Sequence, residues 1–186
     1  GFRRVENWAY KPICYDCNEC IPLRVKCNDF RPNQSQKRCF TQKFFRNILP
    51  SQSKKEHFDL FKKYQKKRHE NGLMSKMTWA NYSNMINLTP INSMIFEYKN
   101  NKGVILGVML IDIQRDGLSA VYSFYDTANK KLSIGKYMII DVINFVKDNK
   151  LKFLYLGYFV KENNKMNYKN QFCPYEIFVN GKWSEV

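Results

Sequence analysis

Apolar side chains recur at helical spacing in several parts of the chain, with lysines and other polar residues between them. This period is typical of amphipathic helices that bury one face. The strongest pattern belongs to the last of these segments, and the second ends at an Asn-Gly pair that suits a helix C-terminus. The predicted helices cover residues 35–46, 56–70, 79–86 and 135–147.

Shorter apolar runs with alternating spacing predict β-strands between and around these helices. They cover residues 8–10, 21–27, 94–99, 104–114, 118–125, 153–160 and about 176–179. The three strands between residues 94 and 125 are joined by short polar turns containing glycine, so we expect an antiparallel meander. A meander followed by a helix and another strand predicts an α+β fold with a mixed sheet.

A segment rich in proline, serine and lysine, residues 47–55, interrupts this pattern and is predicted to be a connection. It divides the chain into a small cysteine-containing N-terminal module, residues 1–46, and a larger domain, residues 56–186. Because the chain begins at Gly1 rather than Met, we expect that a segment preceding the module is absent.

The charge of the chain points to a polyanionic partner. The 186 residues carry a formal net charge of +15, and 44% of them are hydrophobic, which is enough to form a core. Nucleic acid is the first candidate partner and an anionic membrane surface the second. The alternative is that lysine and asparagine are abundant for compositional reasons and the lysines lie on solvated faces.

Part of this charge is concentrated on the predicted helix at residues 56–70. Its basic residues lie largely opposite the apolar face, where each could meet an RNA phosphate. The candidate tRNA-binding residues are Lys62, Lys63, Lys66, Lys67 and Arg68. The neighbouring His69 is more simply interpreted as a structural residue.

The sequence predicts neither a membrane span nor secretion. No apolar run reaches the length of about 18 residues that a spanning helix needs, and the start of the chain lacks the apolar stretch of a signal peptide. Six cysteines without such a signal indicate a reducing compartment, so we expect a cytoplasmic protein.

Three closely spaced cysteines form a candidate metal site. Cys14, Cys17 and Cys20 make two overlapping C-x₂-C pairs, a spacing that can bring thiolates to one zinc ion. A fourth ligand would come from Cys27, Cys39, a histidine or the preceding segment, and an iron–sulfur cluster with one remote ligand is a second possibility. The alternative is a set of free thiols.

A polar loop near the C-terminus is the most informative segment. The strand ending near Val160 leads into residues 165–169, which combine lysines with a tyrosine, and such a loop suits an anionic or aromatic ligand. The alternative is an edge strand that runs into a solvated loop. Together with residues 116–126, this segment resembles the C-terminal half of the aminoacyl-tRNA–protein transferases, most closely the bacterial aspartate/glutamate leucyltransferases.

The resemblance extends over essentially the whole chain through several motifs in order. They are GFRR at 1–4, YKP at 10–12, the cysteine run at 14–20, PLRV at 22–25, FRP at 30–32, SQKR at 35–38, the Tyr-x₃-Arg-His at 64–69 and the Ser-x-Gly-x-Tyr at 133–137. The family has an acetyltransferase-like (GNAT) core, so the resemblance implies that fold. It also implies transfer of an aminoacyl group, with leucine favoured, from aminoacyl-tRNA to the α-amino group of proteins with N-terminal Asp or Glu, marking them for degradation.

The resemblance further implies roles for individual residues in this reaction, an ester aminolysis that requires no cofactor. Asp126 would act as base or amine anchor, and Tyr168 as hydrogen-bond donor or proton shuttle. Lys165, with Arg3 or Arg4, would pair the side-chain carboxylate of the acceptor. The remaining substrate-binding candidates are Tyr10, Ser123 and Tyr158.

Three alternative functions stay open at this stage. Arginine could replace leucine as the donor, or the chain could be a noncatalytic, metal-stabilised RNA-binding module. A small-molecule N-acetyltransferase is the third alternative. Coenzyme A binding is disfavoured because Gly135 is the only small residue left in the expected pyrophosphate loop, where Tyr137 takes the place of a second one.

Overall fold

The computed structural model describes residues 2–41, 44–128 and 132–186, which form four α-helices and ten strands. The helices are α1 (Gln34–Arg38), α2 (Lys55–Arg68), α3 (Trp79–Asn87) and α4 (Ile134–Asp148). The strands are β1 (Arg3–Val5), β2 (Trp8–Tyr10), β3 (Ile21–Lys26), β4 (Phe45–Pro50), β5 (Ser93–Lys99), β6 (Ile105–Gln114), β7 (Gly117–Tyr125), β8 (Phe153–Phe159), β9 (Tyr175–Val179) and β10 (Lys182–Glu185). Short 3₁₀ turns lie at Cys39–Thr41, Leu73–Lys76 and Asn167–Gln171.

Within the described residues, eight strands form one mixed sheet in the order β10-β9-β3-β8-β7-β6-β5-β4, and β1 and β2 form a separate hairpin. Strands β5, β6 and β7 pair in antiparallel fashion, which confirms the predicted meander. Strand β8 follows α4 and pairs with β7 in parallel, as a crossover through a helix allows. The predicted α+β fold with a mixed sheet is confirmed.

The parallel contact between β7 and β8 is short, and this opens the sheet. Gly117, Leu118 and Ser119 pair with residues 153–155, and the described residues show no pairing between the two strands beyond them. Gly117 permits the close approach, because a Cβ there would lie 2.0 Å from the carbonyl oxygen of Phe153. The carboxyl-terminal halves of β7 and β8 therefore leave a gap, which we call the splay.

The core has one layer on each face of the sheet. Helix α4 packs on one face with the apolar pattern expected from the sequence, including Met138, Val142 and Val146. Helices α2 and α3 cover the other face, where Phe61 and Tyr82 are fully buried. The periodicity of α2 and α4 thus predicted their buried faces correctly, and α3 lies close to its predicted range.

Two predictions around residues 35–55 are wrong. The first helix ends at Arg38 instead of continuing to about Arg46, and residues 42–43 lie outside the described part of the chain. Residues assigned to a connection belong instead to β4, an edge strand that pairs with β5. Its Pro50 is tolerated because an edge strand and its end do not need every backbone N–H.

The division into residues 1–46 and 56–186 stays a prediction. Strand β3, from the first part, pairs with both β8 and β9 of the second, so the two parts share one sheet. No helix in the described part of the chain is long and apolar enough to span a membrane.

Candidate functional site

The N-terminal hairpin is fixed to the sheet by Arg4. The Nε and Nη2 atoms of Arg4 each donate to one carboxylate oxygen of Asp112 on β6, both at 2.8 Å. The two side chains are only 7% and 3% exposed, and Ser93 donates a further hydrogen bond of 2.6 Å to Asp112. The bidentate geometry gives the buried charges well-matched partners. Arg4 therefore has a structural partner, and its predicted contact with substrate stays a prediction.

Arg3, the neighbouring residue, reaches into the splay. Its Nη2 atom donates to the backbone carbonyls of Ala120 at 3.2 Å and Val121 at 2.8 Å, in the part of β7 that lies beyond the pairing with β8. On the β8 side the guanidinium packs against Gly157, where a Cβ would lie 2.4 Å from Nη1. Gly157 also has a φ of +77°, so glycine suits both the backbone and the space available.

A buried lysine lies close to Arg3. The Nζ atom of Lys169, in the 3₁₀ turn at 167–171, donates to the backbone carbonyl of Tyr158 on β8. Burial and, secondarily, the charge of Arg3 lower the pKa of Lys169 to about 8. Lys169 thus ties the 3₁₀ turn at 167–171 to β8.

The two cations have no carboxylate partner in the described residues. Neither Arg3 nor Lys169 forms an ion pair there, and the Nη1 atom of Arg3 is buried without a hydrogen-bond partner. Burial lowers the pKa of Arg3 as well. Because buried, unpaired charge is costly, a site with two such cations favours an anionic ligand.

Phenol groups surround this pair of cations. The rings of Tyr10 and Tyr158 lie 6.5 Å apart, and the Tyr158 hydroxyl donates to the carbonyl of Tyr10 at 3.4 Å. Tyr168 is 39% exposed. Desolvation by the surrounding protein and, to a smaller extent, the nearby Tyr125 raise the pKa of its hydroxyl. Tyr168 therefore stays protonated at neutral pH and can act as a hydrogen-bond donor. The structure thus places Arg3, Tyr10, Tyr158 and Tyr168 in one neighbourhood.

Ser123 and Asp126 lie on the β7 side of the splay. Ser123 is opposite Met109 of β6 and is partly exposed. Asp126 directly follows β7, and its Oδ1 atom accepts a hydrogen bond of 2.9 Å from the backbone N–H of Ala128. This contact closes a turn, which is a common use of aspartate after a strand. The catalytic assignment of Asp126 stays a prediction.

Lys165 lies in the exposed loop that precedes the 3₁₀ turn at 167–171. Desolvation and then the charges of Lys165 and Arg68 lower the pKa of His69 at the end of α2. Loop 161–166 therefore approaches the end of α2. The predicted contact of Lys165 with the acceptor stays a prediction.

The basic face of α2 contains one lysine that differs from the others. Lys62 donates from Nζ to the carbonyls of Ser75 at 2.6 Å and Met77 at 3.4 Å. Lys63, Lys66 and Lys67 are exposed and have no hydrogen bond or ion pair to another described residue. These three, with the exposed Arg68, are the side chains free to meet phosphates.

The cysteine motif lies in a largely exposed segment that precedes β3. Cys14 and Cys17 are exposed and lie opposite each other in an isolated β-bridge. Desolvation and, secondarily, the proximity of these two thiols raise the pKa of Cys20. Over residues 2–41, 44–128 and 132–186, no group of three or more His, Cys, Asp or Glu is arranged to hold a metal ion. Cys27 and Cys39, two of the candidate fourth ligands, are buried in the core. Zinc or iron–sulfur binding stays a prediction.

Two residues that complete this site were not selected from the sequence. Lys169 belongs to the polar loop noticed above, but nothing in the pattern shows that its ammonium group is buried. Asp112 lies within an apolar strand, and an acid there was a signal that a buried cation would meet it.

Solved structures with low sequence identity share the fold. L-PGS from Bacillus licheniformis superposes with a TM-score of 0.60 at 14% identity, over 89% of this chain and 58% of that one. FemX superposes with a TM-score of 0.58 at 9% identity, over 82% of this chain and 57% of that one. The shared fold agrees with the predicted GNAT-type α+β architecture with a mixed sheet.

Sequence comparisons identify the family. The profile described as "Arginine-tRNA-protein transferase, C terminus" matches residues 56–179, and that for the N terminus matches residues 1–38. A relative from Granulibacter bethesdensis named "Aspartate/glutamate leucyltransferase" is 41% identical over 98% of this chain and 69% of its own length. One of the same name from Methylobacillus flagellatus is 40% identical over 100% of this chain and 75% of its own length. With both profiles and these relatives in agreement, the chain belongs to the arginine-tRNA-protein transferase family of transferases.

Proposed function

We propose that this protein transfers leucine from leucyl-tRNA to the α-amino group of proteins that begin with Asp or Glu. The names of the relatives support both the donor and the acceptor. The observation in this chain that carries the proposal is a pair of cations at the splay, Lys169 and Arg3 with its buried Nη1 atom, which form no ion pair with a carboxylate among the described residues. Such a site is complementary to an acidic side chain.

The acceptor carboxylate would bind to the unpartnered Nη1 atom of Arg3. That atom is shielded from solvent, so the ligand must displace a neighbouring side chain. Tyr10 and Tyr168 are 45% and 39% exposed, and the movement of either ring would open the site. Binding would replace an unsatisfied donor with a charge-assisted hydrogen bond, whereas Asn or Gln would bring no charge.

The chemistry needs alignment more than a strong base. The neutral α-amine, whose pKa is ordinarily about 7.7–8.0, attacks the ester carbonyl carbon. The bond to the ribose oxygen then breaks, the amine loses a proton, and the ribose oxygen gains one. Tyr168 is the protonated group that would donate to the departing oxygen, and the Asp126 carboxylate would hold or deprotonate the amine. No covalent enzyme intermediate is required.

The tRNA would lie against α2. Lys63, Lys66, Lys67 and Arg68 form an exposed basic surface at the end of this helix. Because Tyr64 of α2 packs 5.0 Å from Tyr125 of β7, that end lies beside the splay. Charged tRNA is a cytoplasmic substrate, so we place the reaction in the cytoplasm.

A second candidate is transfer of arginine, the amino acid in the name of the family profile. The two donors and the noncatalytic alternative are separated by one assay. Purified protein is incubated with labelled leucyl-tRNA or arginyl-tRNA and peptides that begin with Asp, Glu, Asn or Gln. We expect labelled leucine on the Asp and Glu peptides only. Labelled arginine on these peptides would reassign the donor, and no transfer from either tRNA would contradict the proposed activity.

A further inference from the structure

One face of the N-terminal hairpin runs from the splay to an exposed apolar pair. In the register of β1 and β2, Arg3 is opposite Tyr10 and Val5 is opposite Trp8. Opposed residues, and residues two apart on one strand, share a face of the sheet. Arg3 is held inside the splay, whereas Val5 and Trp8 are 46% and 74% exposed. The same face is therefore cationic at one end and apolar at the other.

The spacing along this face matches that of an extended peptide. Side chains two residues apart on a strand are separated by about 6.6 Å, both in the hairpin and in a ligand strand. If the first residue of the acceptor lies at Arg3 and Tyr10, its third residue comes to Val5 and Trp8. The second side chain points to the opposite side of the peptide.

The direction of the acceptor follows from the contacts at the two ends of the hairpin. At its base, Arg3 and Tyr10 contact β7 and β8, and the reacting α-amine must face that splay. The other end of the hairpin is its turn, which follows Val5 and precedes Trp8, and Arg4 donates to the carbonyl of Glu6 in this turn. An acceptor with its amine in the splay therefore leaves along the hairpin toward the tip.

We propose that Val5 and Trp8 form a subsite for an apolar or aromatic side chain at the third position of the acceptor. This subsite rests on the proposed function, because its register starts from the acidic residue at Arg3. Glu6 lies between the two apolar residues in the hairpin turn, and its carboxylate would repel an RNA phosphate. The charge at the tip thus favours a peptide over a nucleic acid.

The test compares peptides that differ only at the third residue. Asp-Ala-Leu and Asp-Ala-Trp peptides are compared with Asp-Ala-Ser and Asp-Ala-Gly peptides of the same length, using leucyl-tRNA as donor. We expect kcat/KM to be about tenfold higher for the apolar peptides, as partial burial of such a side chain would give. The Trp8→Ala variant should reduce that ratio to near one, and Trp8→Phe should retain most of it.

The matched control is Tyr15→Ala. Tyr15 is 96% exposed in the cysteine segment and does not lie on the hairpin face, so its removal should leave both the ratio and tRNA affinity unchanged. An equal kcat/KM for all four acidic peptides, or a ratio that persists in Trp8→Ala, would overturn the subsite. So would a Trp8→Ala variant that weakens tRNA binding and keeps the ratio. Absence of transfer to every acidic peptide would instead contradict the proposed function.

Discussion

Arg3 and Arg4 are adjacent in sequence, yet the fold gives them opposite surroundings. Arg4 meets Asp112 in a buried, bidentate ion pair with 2.8 Å contacts. Arg3 donates to backbone carbonyls and interacts with Tyr10, but it has no carboxylate ion-pair partner among the described residues, where its buried Nη1 atom also lacks a hydrogen-bond partner. The alternation of side chains along β1 sends the two residues to opposite faces of the hairpin, so each finds a different part of the sheet.

The difference separates a structural cation from a binding cation. A charge that already has its counterion stabilises the fold and has little to offer a ligand. A buried charge without one reduces stability and gains when an anion arrives. Lys169 belongs with Arg3 in the second class, because its only described hydrogen-bond partner is the backbone carbonyl of Tyr158.

The largest expected effect concerns Arg4. Replacing Arg4 with Met leaves the Asp112 carboxylate buried with Ser93 as its remaining donor, so the free energy of unfolding should fall by about 3–5 kcal/mol. Denaturant titration of the purified variant measures this. The control, Arg3→Met, removes an unpaired charge and should change stability little or increase it. Equal destabilisation by both variants would contradict the separation of Arg4 as a structural cation from Arg3 as a binding cation.

A second prediction concerns the pH dependence of Lys169. Because its folded pKa is about 8 and its ordinary value 10.5, the unfolded chain binds more protons between those values, and stability should rise with pH across that window. The penalty is fully present below pH 8 and amounts to at most about 3 kcal/mol. The Lys169→Met variant should lack this rise when both proteins are unfolded by denaturant between pH 7.5 and 10.5. Parallel curves would show that Lys169 titrates normally.

The smallest expected effect concerns α2, where lysines with and without a protein partner should differ in their contribution to tRNA binding. Replacing Lys63, Lys66 and Lys67 with Gln should flatten the dependence of log K for tRNA on log salt by about 0.7–0.9 for each phosphate that the variant no longer neutralises. Lys62→Gln, whose ammonium already has two carbonyl partners, should leave the slope nearly unchanged. Binding measured at several salt concentrations decides this. If Lys62→Gln flattens the slope as much per lysine, then Lys62 contacts phosphate as the exposed lysines do. If neither variant changes the slope, the tRNA binds elsewhere than on α2.

The hydrophobic periodicity of the sequence predicted the helices and strands that bury a continuous apolar face. Helices α2, α3 and α4 and the strands of the meander lie close to their predicted bounds because each has a continuous apolar face. Strand β4 was missed because an edge strand with mostly exposed residues has no such alternation. Strand β10 was also missed, although Asn180-Gly181, both with positive φ, is a strong signal for a two-residue hairpin.

The residues of the candidate site were predictable as a group but not in their partnerships. The motifs indicated Arg3, Arg4 and the loop at 165–169. Which arginine would meet Asp112 depends on the docking of a three-residue strand, which no local pattern encodes. The burial of Lys169 likewise depends on how the 3₁₀ turn at 167–171 packs against β8, where its ammonium group reaches the Tyr158 carbonyl.

The most direct test of whether Arg3 binds the acidic side chain of the acceptor is discrimination between acidic and amide acceptors. With leucyl-tRNA as donor, kcat/KM is measured for peptides that begin with Asp or Asn, using the wild-type protein and the Arg3→Met and Arg3→Lys variants. We expect Arg3→Met to lower kcat/KM for the Asp peptide by about 10–100-fold, as loss of a charged hydrogen bond would. Arg3→Lys should restore part of it, with unfolding free energy and tRNA affinity unchanged. An unaltered Asp-to-Asn ratio in Arg3→Met would contradict the claim.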